Sequence, residues 1–135
     1  MSAITELTGL GLAPELAQVI GAETVSNGVA RSVATGLTAT GTTIADALQL
    51  TTFISIISTT AASTGVKLPP LFPIGAMGLV QNNGANALNI FPPTATIKLN
   101  GGSDGAAVTT AAAAGAIIVR LSATDFGVYV VAKEA

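Results

Sequence analysis

Short runs of β-branched and aliphatic residues, separated by turns rich in proline, glycine and asparagine, dominate the sequence from residue 42 onward. Such runs are typical of β-strands. The residues between them favour turns, because proline and glycine interrupt regular structure and asparagine tolerates positive φ angles. We count roughly eight of them within about 85 residues, at a spacing typical of all-β domains. The pattern predicts a mainly β domain at residues 42–135, built as a small antiparallel β-sandwich, jelly-roll or barrel.

Two turns are expected to join neighbouring strands as hairpins. Residues 82–86, Asn-Asn-Gly-Ala-Asn, lie between the runs 76–81 and 87–91. Asparagine and glycine at these positions favour a tight turn. Residues 123–125 lie between the last two apolar runs, and Asp125 can accept hydrogen bonds from nearby backbone N–H groups. We therefore predict one hairpin at each turn.

The run at residues 51–60, Thr-Thr-Phe-Ile-Ser-Ile-Ile-Ser-Thr-Thr, is apolar on both faces. Phe53, Ser55 and Ile57 share one face of a strand, and Ile54 and Ile56 share the other. This pattern predicts a strand that is covered on two sides.

Residues 1–41 lack a comparable strand pattern and are predicted to form an extended, partly helical N-terminal arm. Apolar residues recur there at helical spacing around Pro14, at Leu12, Leu16, Val19 and Ile20. Isolated apolar residues among Ser, Thr, Gly and Ala cannot form a core, but they can dock on the surface of a neighbouring subunit. The alternatives are a partly ordered tail and an arm that assembly fixes in place.

Charge is scarce for a chain of this size. Apolar residues make up 50% of the sequence, whereas charged residues make up 9% and aromatic residues 4%. An average soluble domain carries about 25% charged residues. We infer that much of the surface faces other subunits, because interfaces are depleted in charge.

Composition also argues against several function classes. A net charge of −2 without a basic stripe disfavours nucleic-acid binding. No run approaches the roughly 20 apolar residues of a membrane-spanning helix. The N-terminus carries Glu6 and lacks the basic start of a secretory signal. The chain contains no cysteine, so it can form neither disulfides nor thiolate metal sites.

Catalysis has few candidate groups, because the chain contains neither histidine nor cysteine. A carboxylate pair that works as acid and base must converge in a pocket, whereas Asp46, Asp104 and Asp125 lie near predicted turns or strand ends. We expect no enzyme activity, no metal, no cofactor and no small-molecule substrate. A β-fold enzyme is the third and weakest functional hypothesis.

One further pattern is carried by residues 40–43, 47–51, 65–69, 82–93 and 97–102. These segments resemble a recurrent block in virion proteins of tailed bacteriophages, of the head decoration (cement) or head-fibre type, and the resemblance covers about residues 40–131. It rests on turn and core residues, and it implies a small β module.

The resemblance implies a capsid decoration protein that binds the outer capsid surface and bridges capsid subunits. Its expected partner is the major capsid protein, its expected oligomer is a homotrimer, and its expected location is the virion surface after assembly in the bacterial cytoplasm. The alternative is a head-fibre, tail-fibre or spike component with a host-recognition β module.

Eight residues are the candidates for the subunit interface. Leu71, Phe72 and Ile74 stand where the resembling proteins lead us to expect a smaller and more polar loop. Arg120 lies within an apolar strand, either facing solvent or paired with Asp46, Asp104 or Asp125 of another subunit. The full set is Leu12, Leu16, Val19, Ile20, Leu71, Phe72, Ile74 and Arg120.

Overall fold

The computed structural model describes residues 31–131, and this part of the chain consists of β-strands and their connections with no helix. The ten strands are β1 (Val33–Thr38), β2 (Leu48–Gln49), β3 (Ile54–Thr59), β4 (Gly65–Lys67), β5 (Met77–Asn82), β6 (Leu88–Phe91), β7 (Lys98–Leu99), β8 (Val108–Thr110), β9 (Gly115–Arg120) and β10 (Asp125–Val131).

The strands form two sheets that the chain visits alternately. The six-stranded sheet has the order β1-β3-β5-β9-β10-β7, and the four-stranded sheet has the order β2-β4-β6-β8. Within the first sheet β1, β3 and β5 run parallel, and within the second β2, β4 and β6 do so. Each circuit therefore adds one strand to each sheet, and the fold is a β-solenoid of about four turns.

The last part of the chain reverses this parallel order. β8 pairs antiparallel with β6, and β9 pairs antiparallel with both β5 and β10. β7 returns parallel to β10 at the edge of the six-stranded sheet. The parallel turns thus end in an antiparallel section made of β8, β9 and β10.

The predicted sandwich, jelly-roll or barrel is therefore wrong. The error lies in the turn at residues 82–86, where a hairpin was expected between β5 and β6. These two strands belong to different sheets, so the turn is a corner of the solenoid. The predicted hairpin at residues 123–125 is confirmed, because β9 and β10 pair antiparallel across it.

The structure describes only residues 31–41 of the predicted N-terminal arm. The helical turns expected around residues 12–21 lie outside the described residues. β1 lies within the segment that was assigned to the arm, yet it pairs with β3 and belongs to the six-stranded sheet. The compact β unit begins at Ser32.

The core lies between the two sheets, because alternate residues of facing strands point inward. In β3, for example, Ser55 and Ile57 are buried. The largest fully buried apolar side chains come from both sheets and from the connections between them: Leu50, Ile57, Val66, Leu68, Leu88, Ile90, Ile118 and Phe126.

Candidate partner-binding surface

Residues 69–75, within the connection from β4 to β5, expose the most prominent apolar side chains of the described chain. We call this segment the proline loop, because Pro69, Pro70 and Pro73 interrupt it. Leu71 is 89% exposed and Ile74 is 64% exposed. Water contacts at these aliphatic side chains are unfavourable, and they are removed when a partner covers them.

The buried side chain of Phe72 anchors the proline loop to the core. Its ring centroid lies 4.7 Å from that of Phe53 and 6.1 Å from that of Phe126. Gly78 of β5 makes room for it, since a Cβ at that position would lie 2.7 Å from the Phe72 ring. The loop is therefore tied to the core through the residue that lies between its two exposed aliphatic side chains.

Arg120, at the end of β9, holds the loop from the side. Its Nη1 donates hydrogen bonds to the carbonyl oxygens of Pro70 at 3.2 Å and Phe72 at 2.8 Å. Its Nε and Nη2 donate to the carbonyl oxygens of Ser122 at 3.2 Å and Ala123 at 3.1 Å. One guanidinium group thus joins the proline loop to the β9–β10 hairpin.

Arg120 makes its contacts within its own chain, a role that the sequence did not predict. The guanidinium carbon lies 5.2 Å from the centroid of the Phe126 ring, a distance at which cation–π attraction operates. The side chain is half-buried and hydrogen-bonded within its own chain. It is a structural clamp on the proline loop, whereas the sequence suggested a solvent-facing position or an ion pair between subunits.

The main chain adds further bonds at the same place. The backbone N–H of Gly75 donates to the carbonyl of Arg120 at 2.7 Å, and that of Arg120 donates to the carbonyl of Ala76 at 3.1 Å. Leu121, which is 49% exposed, follows directly after Arg120. Leu71, Ile74 and Leu121 therefore present apolar side chains at one end of the six-stranded sheet.

The predicted interface residues divide into three groups. Leu71 and Ile74 are exposed on the proline loop, whereas Phe72 is buried beneath it and Arg120 clamps it. The arm candidates Leu12, Leu16, Val19 and Ile20 lie outside the described residues.

The carboxylates of the described residues serve turns and surface pairs. Asp46 Oδ1 accepts hydrogen bonds from the hydroxyl of Thr43 at 2.7 Å and from its backbone N–H at 2.8 Å. These bonds, the hydroxyl first, hold the pKa of the Asp46 carboxyl below its usual value. Asp104 lies 3.9 Å from Lys98 Nζ, with both side chains about half exposed. Within residues 31–131 no three potential metal ligands of the Asp, Glu, His and Cys types lie together.

Sequence reasoning missed a second apolar surface, on the outward side of the six-stranded sheet. Val33 and Tyr129 are exposed there, and Ile54, Leu79 and Ile117 lie between them. The signal was present in the run 51–60, which is apolar on both faces. Only the strand order shows that outward side chains of five strands fall into one row.

The chain matches no family model, no curated protein and no solved structure. Nor does any helix long and apolar enough to cross a membrane occur in the described part of the chain.

Proposed function

We propose that the chain is a structural protein of a tailed-bacteriophage virion, a capsid decoration (cement) protein that bridges neighbouring capsid subunits. The observation that carries the proposal is the proline loop, where Leu71 and Ile74 are held outward by the buried Phe72 and the Arg120 clamp. The resemblance of residues 40–131 to phage virion proteins supplies the choice of partner, the major capsid protein.

The mechanism in this proposal is burial of apolar surface by a rigid loop. Each Å² of apolar surface removed from water contributes about 25 cal/mol. A loop that already holds its bound shape loses little conformational entropy on binding, and affinity rises accordingly. The clamp by Arg120 and the anchoring by Phe72 therefore suit Leu71 and Ile74 to insertion into an apolar pocket of the partner.

The low charge of the chain supports the same proposal. Charged residues are 9% of the sequence, and a structural protein that is largely covered by neighbours needs few of them. The proposal includes a homotrimer, which suits the three-fold positions of an icosahedral lattice. It places the protein on the capsid surface of virions that assemble in the bacterial cytoplasm.

A fibre or spike component is the second candidate, and the solenoid is the observation that favours it. Stacked parallel turns extend along one axis, as repeat proteins do when they form elongated bodies. The Asn-rich corner supports glycan binding poorly, because the amide group of Asn82 is buried and fully hydrogen-bonded inside the chain. Copy number per particle distinguishes the two candidates.

The direct test is binding of the purified full chain to empty capsids of the phage that encodes it, measured by co-sedimentation. The variant Leu71→Asp places a charge at the most exposed apolar position, and we expect it to weaken capsid binding by about tenfold or more. The matched control is Ala62→Asp, at an exposed position in the connection between β3 and β4. It should bind like the wild type.

Wild-type protein that fails to pellet with capsids would contradict the decoration function. Equal binding by Leu71→Asp and the wild type would instead leave the capsid as partner and remove the proline loop from the contact.

A further inference from the structure

The outward side of the six-stranded sheet carries one continuous row of apolar side chains across five strands. Each residue of the row is the register partner of the next. The row is Val33 (β1), Ile54 (β3), Leu79 (β5), Ile117 (β9) and Tyr129 (β10). With strands about 4.8 Å apart, it spans roughly 19 Å. We call this surface the outer face.

The outer face is open to solvent in the described chain. Val33 is 54% exposed, Ile117 is 37% exposed and Tyr129 is 53% exposed. A neighbouring row adds Met77, which is 48% exposed and pairs with Val119. Contiguous apolar patches of this kind mark sites of protein association, because a soluble monomer gains nothing from exposing them.

The outer face also lacks charge in its central part. The strands β1, β3, β5 and β9 contain one charged residue, Arg120, and its guanidinium is bound to backbone carbonyls above the Phe126 ring. The other outward positions near the apolar row include Thr35, Ser58 and Gln81, which are polar and uncharged. An apolar centre with an uncharged polar border is the usual anatomy of a subunit interface.

We propose that the outer face is the contact surface between copies of this chain. Charged groups of a partner would lose their hydration against this face, and the face offers no opposite charge to offset that loss. Other copies present the same uncharged apolar surface, so the outer faces of three copies can converge around a three-fold axis with no unpaired charge between them. This assignment deepens the proposed function, because it gives the homo-oligomer of that proposal a surface distinct from the proline loop.

Sedimentation equilibrium of the full chain across a range of concentrations tests the proposal. Wild-type protein should be oligomeric, and Ile117→Lys should raise the dissociation constant by about tenfold or more, because it places an ammonium group in the middle of the row. The matched control is Ala62→Asp, which places a charge at an exposed position in the connection between β3 and β4, away from both proposed surfaces, and should leave the oligomer intact.

A second variant protects the test against misfolding. Val33→Lys alters the exposed end of the row on the edge strand β1, where a long side chain can reach water without disturbing the core. It should also shift the equilibrium toward the monomer while circular dichroism stays unchanged. A wild-type monomer at every concentration, or an undisturbed oligomer in Val33→Lys and in folded Ile117→Lys, would overturn the proposal.

The two proposals fail separately. Loss of capsid binding in Ile117→Lys without any change in oligomeric state would assign the outer face to the capsid, and it would overturn self-association through this face. Failure of the wild type to bind capsids, with Ile117→Lys still dissociating the oligomer, would contradict the decoration function and leave the self-association surface standing.

Discussion

The two turns that the sequence predicted to be hairpins belong to two different parts of the fold. The turn after Asn82 lies in the parallel part of the solenoid and leads from one sheet to the other. The turn after Leu121 lies in the antiparallel part and returns the chain to the same sheet. Both are rich in small and polar residues, so local turn chemistry does not decide between a corner and a hairpin.

The difference lies in what satisfies the backbone at each turn. In the hairpin, the backbone N–H groups of Leu121 and Ser122 donate to the carbonyl of Asp125 at 3.0 and 3.1 Å, so the two strands close the turn themselves. At the corner the strands separate, and side chains must supply the missing partners. A buried polar group without a partner is costly.

Asn82 supplies most of those partners. Its Oδ1 accepts hydrogen bonds from the Thr60 hydroxyl at 2.8 Å and from the Gly84 backbone N–H at 3.1 Å. Its Nδ2 donates to the carbonyls of Asn86 at 2.8 Å and Ala111 at 3.1 Å. The side chain is fully buried, so one asparagine joins three connections of the solenoid.

Replacement of Asn82 by leucine should have the largest effect on stability. The change conserves approximate volume but leaves two donors and two acceptors of the corner without their partner. We expect the free energy of unfolding to fall by roughly 3 to 5 kcal/mol, measured by urea denaturation.

The neighbouring Asn83 gives a matched control. It is exposed and accepts one side-chain hydrogen bond, from Gln81 at 3.1 Å. Asn83→Leu should change stability by less than about 0.5 kcal/mol. If the two variants were equally stable, the corner would not depend on the Asn82 amide, and the comparison of the two turns would lose its physical basis.

Arg120→Met tests the antiparallel part of the comparison. Methionine keeps an aliphatic side chain but removes the guanidinium that lies over Phe126 and joins the hairpin to the proline loop. We expect a loss of about 2 to 3 kcal/mol in thermal or urea unfolding, since hydrogen bonds from a charged donor contribute more than neutral ones. Amide exchange should also become faster at Gly75, whose N–H is bonded to the Arg120 carbonyl.

Lys98→Met is the control for loss of a positive charge, because Lys98 forms an exposed ion pair at 3.9 Å. Such pairs contribute little, so stability should change by less than about 1 kcal/mol. Unchanged exchange at Gly75 in Arg120→Met would show that the loop holds its shape without the clamp.

The smallest expected effect is a gain in stability at Thr110, beside the corner. Its hydroxyl oxygen is buried. Among the buried side-chain nitrogen and oxygen atoms of the described residues, it is the one without a hydrogen-bond partner. Thr110→Val replaces the hydroxyl by a methyl group of similar size, and we expect about 1 kcal/mol of added stability.

Thr109→Val should show no such gain, because the Thr109 hydroxyl is exposed and bonded to Asn89 at 3.0 Å. A loss of stability in Thr110→Val would mean that the buried hydroxyl has a partner after all, and the corner would then hold a further polar contact.

The positions of the strands could be predicted from the sequence, but their pairing could not. The runs at residues 51–60, 76–81 and 126–131 contain all of β3 and nearly all of β5 and β10. The alternation of apolar and polar residues locates such strands in the sequence, because it depends only on residues that are close together in the chain. Pairing depends on where the chain goes after each turn. At Asn82 the chain is held by a buried amide, and two of its partners, Thr60 and Ala111, lie 22 and 29 residues away in the sequence.

The same difference between local and long-range information applies to the candidate surfaces. The proline loop could be located from the sequence, because Leu71 lies between prolines and Ile74 directly follows Pro73. The clamp by Arg120 could not, because its carbonyl acceptors Pro70 and Phe72 are about fifty residues away. The outer face required the strand order, because its row joins residues from β1 to β10.

The central claim, that this chain is a capsid-covering structural protein, is tested most directly by its copy number relative to the major capsid protein in purified virions. Quantitative mass spectrometry of intact particles gives this ratio. We predict a copy number comparable to that of the major capsid protein, as expected for a protein that occupies every equivalent position on the surface. A ratio of a few per cent would contradict the decoration function and favour a fibre or spike, and absence from the particle would contradict both.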